Sequence, residues 1–217
     1  MAQQLRFGFG FDLRNPAQWQ RPTPQLYAET LDFIAAIEGM GFGSIWLAEH
    51  HGIDDGYNPS PFVFGAAVAA RTKTIRISSG VALAPFYHPV RLAEDLAVLD
   101  NISNGRVDFA PGLGYLPWEA EAYGFDLRDR GRITNEALQI IRQLWTGEAV
   151  SFSGEFFTIR NARCRPLPVQ RPGIPTFVGG SGRPGLRRAA RLGDGYIGTP
   201  LRSEERRGGK ECRSRWS

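Results

Sequence analysis

The chain has 217 residues, 22% charged and 42% hydrophobic, with 26 glycines and 15 prolines, a globular composition that excludes collagen-like repeats and a wholly disordered polymer. No apolar run reaches the roughly eighteen residues of a membrane-crossing helix, and Met1 to Asp12 lacks the layout of a signal peptide, so a cytoplasmic protein without membrane contact is expected. Of the formal charge of +4, Arg202–Ser217 contribute six basic and three acidic residues, which leaves +1 for the rest and no support for a nucleic-acid partner.

The first apolar run, Leu5 to Phe11, is rich in glycine and reads as a strand. Thr23 as cap and Pro24 in the first turn then open a helix built on Leu26, Leu31, Ile34, Ile37 and Met40, which Gly41 and Gly43 end. Ser44 to Ala48 is short, apolar and bounded by glycine and charge, as a buried strand is. The alternation repeats: a helix from Ser60-Pro61 to about Arg71, a β-branched strand at Ile75 to Val81, a helix from Pro89 to about Ile102, and a strand at Arg106 to Ala110. A helix over about Arg132 to Trp145 follows, with Arg132 and Glu136 one turn apart and able to pair. Residues 149–159 hold two aromatic runs around Ser153-Gly154, a hairpin inserted between units. Pro175 to Gly179, Pro184 to Leu192 and Gly195 to Thr199 supply a fifth strand, a fifth helix and a sixth strand.

Six strands alternating with five helices form an α/β protein. Gly8, Gly10, Asp12 and Asn15 lack the glycine spacing of a dinucleotide-binding turn, so a (β/α)8 TIM-type barrel is favoured over a doubly wound sheet. Such a barrel takes about 250 residues, so residues 1–201 read as an incomplete one. After Pro200 the apolar periodicity stops. Arg202–Ser217 resemble the translation of a sequencing-adapter DNA and read as a tail foreign to the fold, the alternative being a solvated basic tail.

Cys164 and Cys212 give neither a disulfide framework nor a metal cluster, and Lys73 and Lys210 are the only lysines, which leaves little room for Schiff-base chemistry. Glu49, His50 and His51 stand where the second strand ends, on the rim that carries active sites in barrels. Neighbours on a strand point to opposite sides, so the two histidines do not ligate one metal, and no metal site is expected. A histidine here relays protons or is a structural group hydrogen-bonded at a strand end, and His88 before Pro89 reads as a helix cap. Gly179, Gly180, Ser181 and Gly182 join a strand to a helix, where free amides and the helix dipole suit a phosphate, and Arg183 beside them favours an anion; a plain tight turn is the alternative. Gly112 and Gly114 likewise let a flat ring approach the backbone, or form a simple loop.

The stretches GFGSIWLAEHH, NPSPFVFGAAVAART, YHPVRLAEDLAVLDNISNGRVDFAPGLG, TFVGGSG and AARLGDGYI together resemble the bacterial luciferase-like flavin-dependent oxidoreductases, over about Leu5 to Thr199. The resemblance implies a (β/α)8 barrel, commonly a homodimer, binding reduced FMN or the deazaflavin coenzyme F-420 at the carboxyl ends of the strands. It places His50 as the acid or base of the cleft, with Glu49 supporting it. It places Gly80 and Val81 at a non-prolyl cis peptide beneath the flavin ring, and Gly179, Gly180 and Ser181 on the flavin phosphate turn. Light-emitting members carry cysteine and arginine where this chain has Gly112 and Leu113, so light emission is not expected.

The function this implies is a monooxygenase that uses reduced FMN from a separate flavin reductase, and O2, to oxygenate a small organic substrate. The alternatives are a coenzyme F-420-dependent hydride-transfer oxidoreductase and, from a different class, an inactive barrel fragment or flavin-binding shell.

Overall fold

Glycine and proline punctuate the chain so regularly that strands and helices alternate almost throughout the computed structural model, which describes residues 7–180 and 182–198. The first part runs β1 (Gly8–Phe11), α1 (Thr23–Gly39), β2 (Ser44–Leu47), α2 (Pro61–Arg71), β3 (Arg76–Ser79), β4 (Ala82–Leu83) and α3 (Pro89–Ser103). It continues with β5 (Val107–Asp108), β6 (Pro111–Gly112), α4 (Pro117–Ala122), α5 (Arg130–Leu144), β7 (Val150–Ser153), β8 (Thr158–Ala162), β9 (Phe177–Gly179), α6 (Arg183–Leu192) and β10 (Gly195–Ile197). Proline occupies the first helical turn of α1, α2, α3, α4 and α6, where its missing N–H costs nothing.

β1, β2, β3 and β5 lie side by side in that order, all parallel. A parallel bridge between Phe109 and Thr176 carries the arc on to β9, which pairs with β10. These six parallel strands, with helices as crossovers, are the arc of a (β/α)8 barrel. On the helix-facing side Ile45, Leu47, Ile77, Val107 and Val178 pack with Ile34, Ile37, Leu92, Leu96, Ile140 and Ile141 in one buried core. The opposite face alternates with it, as the twofold period of a strand requires. There Ser44, Trp46, Arg76, Ser78, Asp108 and Phe177 line a cavity of about 280 Å³. Arg76 Nε donates to Asp108 Oδ2 at 2.7 Å, which pairs the charges of this inner face.

The structure revises several local expectations. Thr23 is the first residue of α1 rather than its cap, and His88 precedes α3 without a side-chain capping bond. The short pair β4–β6 and the six-residue helix α4 lie in strand-to-helix connections where no element was expected. The hairpin is antiparallel but reaches Ala162, beyond the expected limit of 159, because its turn is Gly154 to Phe157. Glu136 is the reason: its carboxylate accepts the main-chain N–H groups of Glu155, Phe156 and Phe157. Glu136 is therefore not the partner of Arg132, which pairs with Asp129 and Glu155. The expected tail, Arg202–Ser217, lies outside the described residues. No helix among the described residues is long and apolar enough to cross a membrane.

Candidate active site

The carboxyl ends of β2, β3, β5 and β9 bring together most of the residues singled out in the sequence. β2 runs into Ala48-Glu49-His50-His51, and buried Asn58 holds this stretch in place. Asn58 Nδ2 donates to the Ala48 carbonyl at 3.1 Å, and its own carbonyl accepts the His50 N–H at 3.2 Å.

His50 Nδ1 lies 2.9 Å from Glu119 Oε1 on α4, and the same oxygen accepts the His51 main-chain N–H at 2.7 Å. Glu119 is 1% exposed. A carboxylate accepts only, so the His50 proton sits on Nδ1 and the Nε2 lone pair is left for chemistry. Nε2 stands 3.5 Å from the hydroxyl of exposed Tyr115. Tyr57 and Tyr115 both meet the imidazole edge-on, at ring-centroid distances of 4.8 and 5.4 Å. Burial and nearby Asp12 push the Tyr57 phenol above its ordinary pKa, keeping it a neutral wall.

The Glu49 side chain meets His51 rather than His50. Its carboxylate, 2% exposed, bonds to His51 Nε2 at 2.9 Å, the Tyr87 hydroxyl at 2.8 Å and the Leu83 N–H at 2.8 Å. Glu49 thus braces His51 and the segment after β3, while Glu119 supports His50. Tyr123 completes that second cluster, with its hydroxyl 2.9 Å from His51 Nδ1, and burial raises the pKa of both tyrosines. The two imidazole rings engage different carboxylates, and no cluster of three metal-ligating side chains occurs among the described residues.

The Gly80–Val81 peptide is cis. A Cβ on Gly80 would lie 2.8 Å from Trp46 Cβ, and one on Gly112 would run into the Val81 side chain, so backbone packs on backbone and side chain with no room for larger residues. Gly114 has φ +73° and packs against Phe86. Gly180 has φ +135° and lies so close to Gly185 of α6 that a Cβ would be 3.1 Å from its Cα. Gly182 caps α6 in extended conformation, and Ser181 lies outside the described residues. The glycine turn at the start of α6, where main-chain amides are free, fits a phosphate group.

Residues 6–211 match the family model described as luciferase-like monooxygenase. The chain belongs to the luciferase-like monooxygenase family. It is 34% identical over 161 residues to the oxygenase component of a flavin-dependent trigonelline monooxygenase from Acinetobacter baylyi, which covers 73% of this chain and 44% of that protein. A glucose-6-phosphate dehydrogenase of Microbacterium testaceum, dependent on coenzyme F-420, is 32% identical over 191 residues, or 82% of this chain and 54% of its own length. The crystal structure of monooxygenase RslO1 from Streptomyces bottropensis superposes with a TM-score of 0.84 at 33% identity, covering 90% of this chain and 60% of that one. The luciferase-like chain described here therefore spans about half the length of the curated relatives it matches.

Glu119, Tyr57 and Tyr87 are the site residues the sequence did not announce. For Glu119 the nearest local signal is its place just after Pro117, in the first turn of a short helix behind the Gly112–Gly114 loop.

Proposed function

We propose that this luciferase-like chain forms the flavin-binding part of a monooxygenase that uses reduced FMN and O2 to oxygenate a small organic substrate. The observation that carries the reading is His50, just past the carboxyl end of β2, held through Nδ1 by buried Glu119 with Nε2 3.5 Å from the hydroxyl of exposed Tyr115. Reduced flavin, when bound, supplies the electrons that activate oxygen. The chain's own part is placement and proton handling. Gly80, Val81, Gly112 and Gly114 would receive the ring, and Gly179, Gly180, Ser181 and Gly182 the phosphate. His50 Nε2 would take or return the proton, and Tyr57 and Tyr115 would limit water at that atom.

One relative is named as an oxygenase component, which supports a separate flavin reductase as the source of reduced FMN; a cytoplasmic setting for both is part of the same proposal. A second reading, hydride transfer with coenzyme F-420, is favoured by the dehydrogenase that matches 82% of the chain. A homodimer belongs to the same proposal. The outer face of α2 and α3 leaves Val63, Val98 and Ile102 exposed beside a groove of about 680 Å³. On its rim Arg91 and Asp95 already pair with each other across one turn of α3, so a second copy would meet this face chiefly through the apolar side chains.

Anaerobic titration of the 217-residue chain with reduced FMN and, in parallel, reduced F-420 tests these readings. Tighter binding of FMN, weakened in a His50→Ala/Ser181→Ala double variant, supports the monooxygenase. Preference for F-420 supports hydride transfer, equal binding by the double variant removes the site, and flavin binding without substrate-dependent oxygen uptake leaves a flavin-binding shell.

A further inference from the structure

Away from the strand ends, α5 and α6 pack side by side and leave a groove of about 240 Å³ lined by Asn135, Gln139, Arg187, Arg188 and Arg191, with Pro184 and Leu192 as its apolar edge. The positions are not scattered. Asn135 and Gln139 are one turn apart on α5, and Arg187 and Arg191 are one turn apart on α6, so two polar ridges face each other.

Arg188 lies at the base of this groove and is 6% exposed. Its Nε donates to Asn135 Oδ1 at 2.7 Å and Nη2 to the Gly131 carbonyl at 3.0 Å. Both acceptors are neutral. Burial alone lowers its pKa, with no acidic neighbour opposing it. A buried cation is costly unless a counter-charge accompanies it. The bond to Arg188 also occupies the Asn135 oxygen, which leaves the Asn135 NH2 as donor. Among the described residues the groove is lined by guanidinium and amide groups and by no carboxylate.

We propose that the α5–α6 groove is an anion site, separate from the flavin site, that takes the phosphate group of a small molecule. Paired guanidinium donors match the oxygens of a phosphate, and Arg187 and Arg191 supply them from one ridge. Arg191 lies nine residues beyond Gly182, so about 13 Å of helix separates it from the turn at the start of α6.

The probe is inorganic phosphate, followed by thermal unfolding of the full chain at constant ionic strength set with potassium chloride. The expected result is a saturable rise in Tm, about 3–6 °C at ten times the dissociation constant, that disappears in Arg187→Glu/Arg191→Glu. Because Arg191 stands in the last turn of α6, where a glutamate opposes the helix dipole, the rise in each protein is measured against its own Tm without phosphate. A Ser181→Ala variant should keep the full rise. No saturable rise, a rise that survives the double charge reversal, or an equal rise with acetate would each overturn the assignment.

Discussion

Glu119 Oε1 stands 2.9 Å from His50 Nδ1 and 2.7 Å from the main-chain nitrogen of His51, so one buried oxygen fixes both the ring and the backbone of the strand-end histidines. Because the carboxylate accepts the Nδ1 proton, nitrogen-15 NMR of the ligand-free chain should show His50 as the Nδ1–H tautomer when neutral. In a full-length enzyme His50→Ala should lower kcat by about 10³, and Glu119→Gln by about 10² with KM little changed. A His50 ring found in the Nε2–H form, or an unaffected Glu119→Gln enzyme, would remove the proton-handling role.

Glu49 makes three bonds, to the Leu83 N–H, the Tyr87 hydroxyl and His51 Nε2, so its replacement acts through structure. Glu49→Ala leaves these buried groups without their partner and should destabilise the chain by about 3 kcal/mol. Glu49→Gln keeps the acceptor for Leu83 or Tyr87 and should cost less. Urea unfolding of the three proteins measures the difference; a fully stable Glu49→Ala chain would show that the bonds carry no stability.

Among the described residues, the order of the six barrel strands and their crossover helices is legible in the sequence because proline opens α1, α2, α3 and α6 and apolar runs mark the barrel strands, whereas the short β4, β6 and α4 carry no such run. The places of His50 and Gly179 at strand ends are legible for a related reason, since the apolar runs locate β2 and β9. Glu119 is not, since its bond to His50 spans 69 residues and depends on how the short helix α4 folds back over the rim. Glu49 adjoins His50 in sequence, yet the alternation of side chains along an extended segment sends it to His51 two residues on. The hairpin limit was obscured similarly, because Glu136 is on α5 and fixes the turn from a distance.

Two glycines, Gly112 of β6 and Gly10 of β1, separate packing from mere sequence pattern. A Cβ at Gly112 meets the Val81 side chain, whereas one at Gly10 meets nothing within 4 Å. Gly112→Ala should therefore cost about 1–3 kcal/mol through overpacking and weaken flavin binding, while Gly10→Ala should leave the fold stable. Denaturation and flavin titration of both variants check this, and equal behaviour would contradict tight packing at Gly112.

On the outer face, Val98 and Ile102 of α3 are 42% and 48% exposed beside Val63 of α2. If a second copy covers them, Val98→Glu/Ile102→Glu should shift the chain from dimer to monomer in sedimentation velocity while its far-ultraviolet dichroism stays unchanged. A parent chain that sediments as a monomer at all concentrations would exclude this face as the interface.

Cys164 is fully buried, with Sγ 3.5 Å from the Pro166 carbonyl, and burial with Glu94 nearby pushes its thiol up to about 11 from an ordinary 9.0. The folded chain therefore keeps its proton where the unfolded chain gives it up. The stabilisation is fully present below about pH 9 and lost as pH rises through about 11. The stability difference between the parent and Cys164→Ala, from urea unfolding, should be constant from pH 7 to about 8.5 and then shrink toward pH 11. Taking the difference cancels the tyrosines that ionise over the same range. In a Cys212→Ser background the native thiol should also resist alkylation at pH 8, since the reactive thiolate is scarce and enclosed. A pH-independent difference combined with rapid alkylation would mean that Cys164 is open to solvent in the folded chain.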